Sequence, residues 1–363
     1  SKIMKSSSSE RPKKVSWQIN DERLKSKPKY NLEKVSWQLN SSKNSDQQLP
    51  LYNPAISCFL EEIYAECNRS ERLKLDPLAI VKRYKAREDM EVAGLICSTL
   101  AFGSVELIMR ACEKALEPLG EHPAKTLREM ASKEIELAWS SFKYRFCFPK
   151  DMIALMWAIH DALNCYGSLE ALFLECDRKW LQEKPEEDCD FAANQQEVSK
   201  YEICTGRHES LSCKMSQQQN ILAASSMFVR RMHELALEAV PEGLRKNLLP
   251  DPANGSAAKR LFLFLRWMVR RDEIDPGCWN SVSPSRLIVP MDTHMIRTCT
   301  ERLGFLPQRK IQRKSGVAVN LRDALRVTDA FRLYAPEDPV KYDFALTRPG
   351  IDPHPGDERF LCL

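Results

Sequence analysis

Met90-Glu-Val-Ala-Gly-Leu-Ile-Cys-Ser-Thr-Leu-Ala101 is an almost continuous apolar run. It is longer than an ordinary strand and shows no period-2 alternation, so it reads as a helix at the centre of a bundle. Gly103 breaks the pattern, and Val105 to Leu116 resumes it as a second helix. Upstream, Ile56, Phe59, Leu60 and Ile63 form one helical stripe. Downstream, Met152 to Leu163 is another helix, and Gly167-Ser168 opens the next with a capping residue. Helical spacing returns at Met227 to Val240, Ala257 to Arg271, Met295 to Leu303, and around 318–331 and 338–347. No convincing strand pattern appears, so the expected fold class is all-α.

Two stretches do not fit a packed helix. Residues 1–50 are rich in Ser, Lys, Asn and Gln and poor in apolar residues, and read as a disordered basic tail. Within it Lys14-Val-Ser-Trp-Gln-Ile-Asn20 recurs as Lys34-Val-Ser-Trp-Gln-Leu-Asn40, either a docking motif anchored by Trp17 and Trp37 or a duplication. Residues 177–225 form a polar, Gln-rich insert that reads as a disordered loop. Its Cys189, Cys204, His208 and Cys213 are irregularly spaced with no C-x-x-C pair, so no metal site is expected. The body is then residues 51–363, with helical halves of about 51–176 and 226–351.

Thirteen cysteines in 363 residues do not make a disulfide scaffold, and Cys58, Cys97, Cys112 and Cys165 lie singly inside helical patterns as small core residues. The best apolar run, Leu261 to Leu265, is far shorter than a membrane span, and the N-terminus lacks an apolar signal core. The expectation is a soluble intracellular monomer that is not secreted and contacts no membrane; nucleus and organelle both stay open. The net charge of +4 hides an asymmetry. Residues 1–50 carry 11 Lys+Arg against 5 Asp+Glu, and residues 226–332 carry 19 against 11. A basic half beside an acidic remainder suggests a polyanion partner on one side only, with charge making no choice between DNA and RNA, against the alternative of a solvated basic face.

Two elements carry candidate chemistry. Ile288-Val-Pro-Met-Asp292-Thr-His294 delivers a lone carboxylate to the start of a helix, where Asp292 accepts backbone N–H bonds and feels the positive dipole end. A carboxylate fixed there can act as a base or stabilise a developing cation; the plain alternative is an ordinary cap. In Ala257 to Arg270, Lys259, Phe262, Arg266 and Arg270 share one face of a helix whose other faces are apolar. A cationic stripe on a buried helix needs anions. They are either a phosphate backbone or internal carboxylates.

The segments Leu249-Pro-…-Gly255-Ser-Ala-Ala-Lys259-Arg260-Leu261 and Ile288-…-Asp292-Thr-His294-Met-Ile-Arg297 resemble the helix-hairpin-helix (HhH-GPD) superfamily of DNA glycosylases, typified by endonuclease III. More closely, Glu91 to Gly103, Tyr144-Arg145-Phe146, Gly167-Ser-Leu-Glu170, Lys259 to Arg270 and Asp338 to Leu346 resemble an uncharacterised conserved hypothetical family related distantly to those enzymes. The resemblance implies a two-lobed helical fold with duplex DNA, damaged or not, across its cleft. It implies Asp292 as the catalytic aspartate and Lys259 as the lysine of a glycosylase with lyase activity. Asn254, Gly255, Ser256, Arg260, Arg266, Arg270, His294 and Arg297 become candidate nucleic-acid contacts, and Trp267 or Trp279 a platform for a flipped base. The sequence departs from that pattern. Only Gly255 stands where a Gly-x-Gly pair is expected, Asp272 to Ser285 lengthens the lysine-to-aspartate spacing, and the four-cysteine tail is missing, so no iron–sulfur cluster and no other cofactor is expected. These departures leave open a catalytically silent nucleic-acid-binding protein on the same fold, and the basic tail with its Trp repeat leaves open an interaction scaffold.

Overall fold

The computed structural model describes residues 50–183, 211–308 and 319–361. Among these residues every regular element is helical, and the β contacts are isolated bridges at Tyr144–Cys147, Ser256–Asn320 and Arg271–Pro276. The helices are α1 Pro54–Cys67, α2 Leu78–Val81, α3 Arg87–Thr99, α4 Val105–Leu116, α5 Pro123–Glu129, α6 Ser132–Ala138, α7 Pro149–Tyr166 and α8 Leu169–Glu183. They continue with α9 Leu211–Ala239, α10 Lys259–Val269, α11 Thr293–Glu301, α12 Leu321–Arg332, α13 Asp343–Ile351 and α14 Glu358–Leu361. The all-α expectation holds for the described residues.

Local chemistry sets the ends. Asn53 caps α1 by accepting the Ala55 N–H at 2.9 Å, with Pro54 in the first turn. Gly167 ends α7 at φ 87°, and the Ser168 hydroxyl then accepts the Ala171 N–H at 3.0 Å to start α8. Three boundaries differ from the sequence reading by more than a helical turn. Helices α8 and α9 enter the stretch expected as a loop, running to Glu183 and starting at Leu211. The last expected helix starts later, because Asp338 to Tyr342 form tight turns around Pro339. Cys58 and Cys165 are exposed, whereas Cys97 and Cys112 are core residues as read. The remainder of the insert, with Cys189, Cys204 and His208, lies outside the described residues, as do residues 1–49 with Trp17 and Trp37.

Helix α3 is the centre of the bundle. Val92, Ala93, Leu95, Ile96 and Cys97 are all fully buried. It packs against α10, and Gly94 permits that approach: a Cβ there would fall 2.7 Å from Met268 Cε. Helices α7, α8 and α9 pack together on one side; α1 and α11 pack on α13 on the other. The buried side chains form one cluster from Phe59 to Phe360, so the N- and C-terminal halves share a core. No helix among the described residues is long and apolar enough to cross a membrane.

Candidate functional site

Leu287, Ile288, Val289 and Met291 are buried, and the Val289 N–H donates to Thr328 Oγ1 at 3.0 Å. This extended segment is therefore fixed against α12, and it ends at Asp292, the N-cap of α11 with φ −100° and ψ 179°. Asp292 Oδ1 accepts the Met295 N–H at 2.7 Å, as the sequence reading expected. Its second oxygen makes no hydrogen bond among the described residues, and the side chain is half-buried. His294, the second residue of the helix, is half-buried and its ring lies against Gly350 of α13. Arg297 is exposed and lies 3.5 Å from Glu301.

The hairpin ahead of α10 is a 3-10 turn, Pro252–Asn254, capped by Gly255 at φ 84°. The Asn254 and Gly255 N–H groups donate to Asp251 and Pro252 carbonyls at 3.1 and 2.9 Å, so both are committed within the turn. Ser256 pairs with Asn320, its hydroxyl accepts the Ala258 N–H at 3.1 Å, and the Leu321 N–H donates to Gly255. The hairpin is thus sewn to the start of α12. Lys259 is the first residue of α10, half-buried, with no hydrogen bond or ion pair among the described residues.

Three of the four arginines expected at a nucleic-acid face, Arg260, Arg266 and Arg270, point elsewhere. Arg260 donates to the carbonyls of Thr99, at 2.7 Å, and Asn247, and stacks over the Phe102 ring at 5.0 Å. Burial pulls its guanidinium down to about 10. Arg266 and Arg270 are each 3% exposed. Arg266 donates to Asp275 at 3.1 Å and Asp343 at 2.6 Å. Arg270 meets both Asp338 oxygens at 2.9 and 3.0 Å, Asp272 at 2.9 Å, and Asp275. Arg266 and Arg270 of the cationic stripe are balanced by internal carboxylates, which is the alternative the sequence left open, whereas Lys259 is not. Trp267 and Trp279 are 0% and 2% exposed, so neither offers a free face to a base. Trp279 donates its Nε1–H to Glu91 at 2.9 Å.

Several polar residues of the interior had not stood out. Glu91 sits alone in the apolar run of α3, and that isolation was the available signal. It accepts from Trp279 and from the Leu169 N–H at 2.8 Å, and burial pushes its carboxyl up to about 7. Glu170 takes the Asn280 and Ser281 N–H groups at 3.0 and 3.1 Å and pairs with Arg87. Together they fasten the 279–281 loop to α3 and α8. Nearer the candidate carboxylate, burial pushes Asp343 up to about 6 against the pull of Arg266, and the neighbouring Asp292 charge adds to the rise. Arg266, the buried partner of Asp343, lies seven residues and therefore about 10 Å along α10 from Lys259. Among the described residues no hydrogen bond links Lys259 to Asp292, and no group of His, Cys, Asp and Glu side chains is arranged to hold a metal.

A family model described as "Protein of unknown function (DUF2400)" matches residues 76–352. No curated protein and no solved structure matches the chain. The matched span contains Glu91, Lys259, Asp292 and Asp343 and leaves out α1 and α14.

Proposed function

The chain belongs to the DUF2400 family, and from its own residues we propose that it is a DNA base-excision glycosylase-like enzyme built on a two-lobed helical fold. The observation that carries the reading is Asp292: a carboxylate delivered by a buried extended segment, locked by one cap bond, with its second oxygen uncommitted. Such a group is held in one orientation without being neutralised by a direct ion pair, as a catalytic base requires. In the monofunctional reaction the C1′–N bond breaks and the base leaves with the bonding pair. Asp292 stabilises the cationic sugar and takes the proton of the water that adds to C1′; the base is then protonated from solvent. With Lys259 as nucleophile, its amine adds to C1′ in place of water and loses a proton to Asp292; the C1′–O4′ bond then opens, the proton passes to O4′, and a Schiff base is left that hydride can reduce.

The contact set that supports DNA is smaller than the sequence suggested. It consists of Asn254, Lys259, His294 and Arg297, since Arg260, Arg266 and Arg270 serve the interior. This also favours a second reading, a nucleic-acid-binding protein without turnover, because two of the three hairpin N–H groups are already committed. Borohydride trapping on duplex and single-stranded oligonucleotides carrying oxidised, deaminated, alkylated or missing bases tests the lysine. A covalent adduct that is lost in Lys259→Gln supports the lyase form. Binding that weakens steeply with salt, with neither adduct nor base release, supports the second reading.

A further inference from the structure

Aromatic rings and cations that the Asp292 site does not use come together at the end of α3. The 143–148 turn, closed by the Tyr144–Cys147 bridge, packs on the loop between α3 and α4, where the Tyr144 hydroxyl donates to the Phe102 carbonyl. Phe146 stacks on Phe102 at 4.2 Å, and Arg260 of α10 lies over the Phe102 ring at 5.0 Å. Phe148 is 39% exposed, with Lys143 and Arg245 over its ring at 5.9 and 5.2 Å. Among the described residues two non-glycine residues have a left-handed backbone, and both border this face. One is Arg145 at φ 49°, whose side chain lies back along Gly103: a Cβ there would fall 3.2 Å from Arg145 Cδ. The other is Ala258 at φ 42°, the N-cap of α10 directly before Lys259. A β-carbon makes that conformation costly, and residues held in it cluster where a surface is shaped for a ligand.

The charge of the face is one-sided. Asp151 and Glu242 at its rim are matched by Arg245, at 3.2 Å, and by Lys150. Lys143, Arg145 and Lys246 are exposed and form no ion pair among the described residues. Rings open to water beside unpaired cations suit a strand of unpaired nucleotides, whose bases stack on the rings while its phosphates meet the cations. A duplex hides the faces of its bases and gains only the charge. We propose that this face, centred on Phe146, Phe148, Lys143 and Arg145, binds single-stranded nucleic acid. The proposal rests on the nucleic-acid partner proposed above and not on chemistry at Asp292. Arg260, through the Thr99 and Asn247 carbonyls, ties the face to the first turn of α10 and puts Lys259 at its edge.

Fluorescence anisotropy with the full chain tests this, using a labelled oligothymidylate of about 20 nucleotides and a blunt duplex of the same length, over a range of salt. Arg145→Gly removes the cation and suits the left-handed backbone, so its unfolding midpoint should stay close to that of wild type. Phe148→Leu keeps an apolar side chain and removes the stacking ring. Phe148→Leu is expected to weaken single-strand binding about fivefold or more and to leave duplex binding little changed. Arg145→Gly is expected to lower the salt slope of single-strand binding by about 0.7, the loss of one phosphate contact. Unchanged single-strand binding in both variants would overturn the proposal and leave the nucleic-acid reading to other residues. Equal weakening of single strand and duplex by Phe148→Leu would overturn the stacking role. A wild type that binds neither oligonucleotide at low salt would sink this proposal and the nucleic-acid reading together.

Discussion

Replacing Arg270 with Met separates a cation that builds the interior from one that binds nucleic acid. Arg270 is 3% exposed and meets Asp338, Asp272 and Asp275 at once. Methionine keeps the volume of the stem and removes the charge, so the fully buried Asp275 keeps only Arg266 and Asp272 loses its guanidinium partner. Breaking a buried ion pair by deleting one partner costs about 3–5 kcal/mol, because a desolvated charge is left behind. Part of that loss is relieved here, since burial raises the Asp275 carboxyl and it can take up a proton once Arg270 is gone. The lower part of the range, about 3 kcal/mol, is therefore expected. At about 2–4 °C per kcal/mol for a domain of this order of size, the unfolding temperature falls by roughly 10 °C. Urea and thermal unfolding, read by far-UV circular dichroism, give the number. Salt-dependent DNA binding at a temperature where both proteins are folded gives the control, and it should be unchanged. A variant as stable as wild type, with a shallower salt dependence of binding, would refute the reasoning and restore Arg270 to a nucleic-acid face.

Two more perturbations probe the joints that hold the candidate site. The folded state raises Glu91 to about 7 from 4.5, so the protonated acid favours folding: its contribution is fully present below pH 4.5 and is lost as pH rises through about 7. Wild type should therefore lose stability relative to Glu91→Gln over that window, and parallel unfolding curves for the two proteins would contradict this. Asp343, raised to about 6, acts with the same sign at slightly lower pH and remains in both proteins. Gly277→Ala should cost at least about 1–2 kcal/mol, since the residue sits at φ 55° and a Cβ would fall 2.5 Å from the Arg270 carbonyl oxygen. An unchanged urea midpoint would show that this loop tolerates a shift the structure does not allow.

The helices were legible because their signal is local. Val105 to Leu116 is read to the residue, and the apolar run from Met90 ends within two residues of the observed helix. The Asp292 cap was legible for the same reason: a short apolar run, an acceptor side chain and a helical pattern lie within a dozen positions. The cationic face of α10 was visible, but the identity of its partners was not. Asp343 lies 77 positions from Arg266 and Asp338 lies 68 from Arg270, and no periodicity reports which carboxylates fold onto a given arginine. Trp279 and Glu91 are separated by 188 positions. A tryptophan in an irregular Pro/Gly/Ser stretch reads as available, whereas its indole N–H anchors that stretch to the centre of the bundle. The regional excess of Lys and Arg misled for a related reason. It counts charges without burial, and part of that excess neutralises acids within the same half of the chain.

The central claim is that Asp292 performs chemistry on a nucleic-acid sugar, and base release by Asp292→Asn measures it most directly. Purified wild type and variant are incubated with the lesion-bearing oligonucleotides, and free base is quantified alongside a circular dichroism check of folding. Because asparagine also caps a helix, the variant should stay folded and bind the same oligonucleotides. The account predicts that wild type releases a base and that the variant's rate falls by at least about a hundredfold, the range seen when a positioned acid–base group is removed. Equal rates in the two proteins would contradict it and reduce Asp292 to the cap of α11.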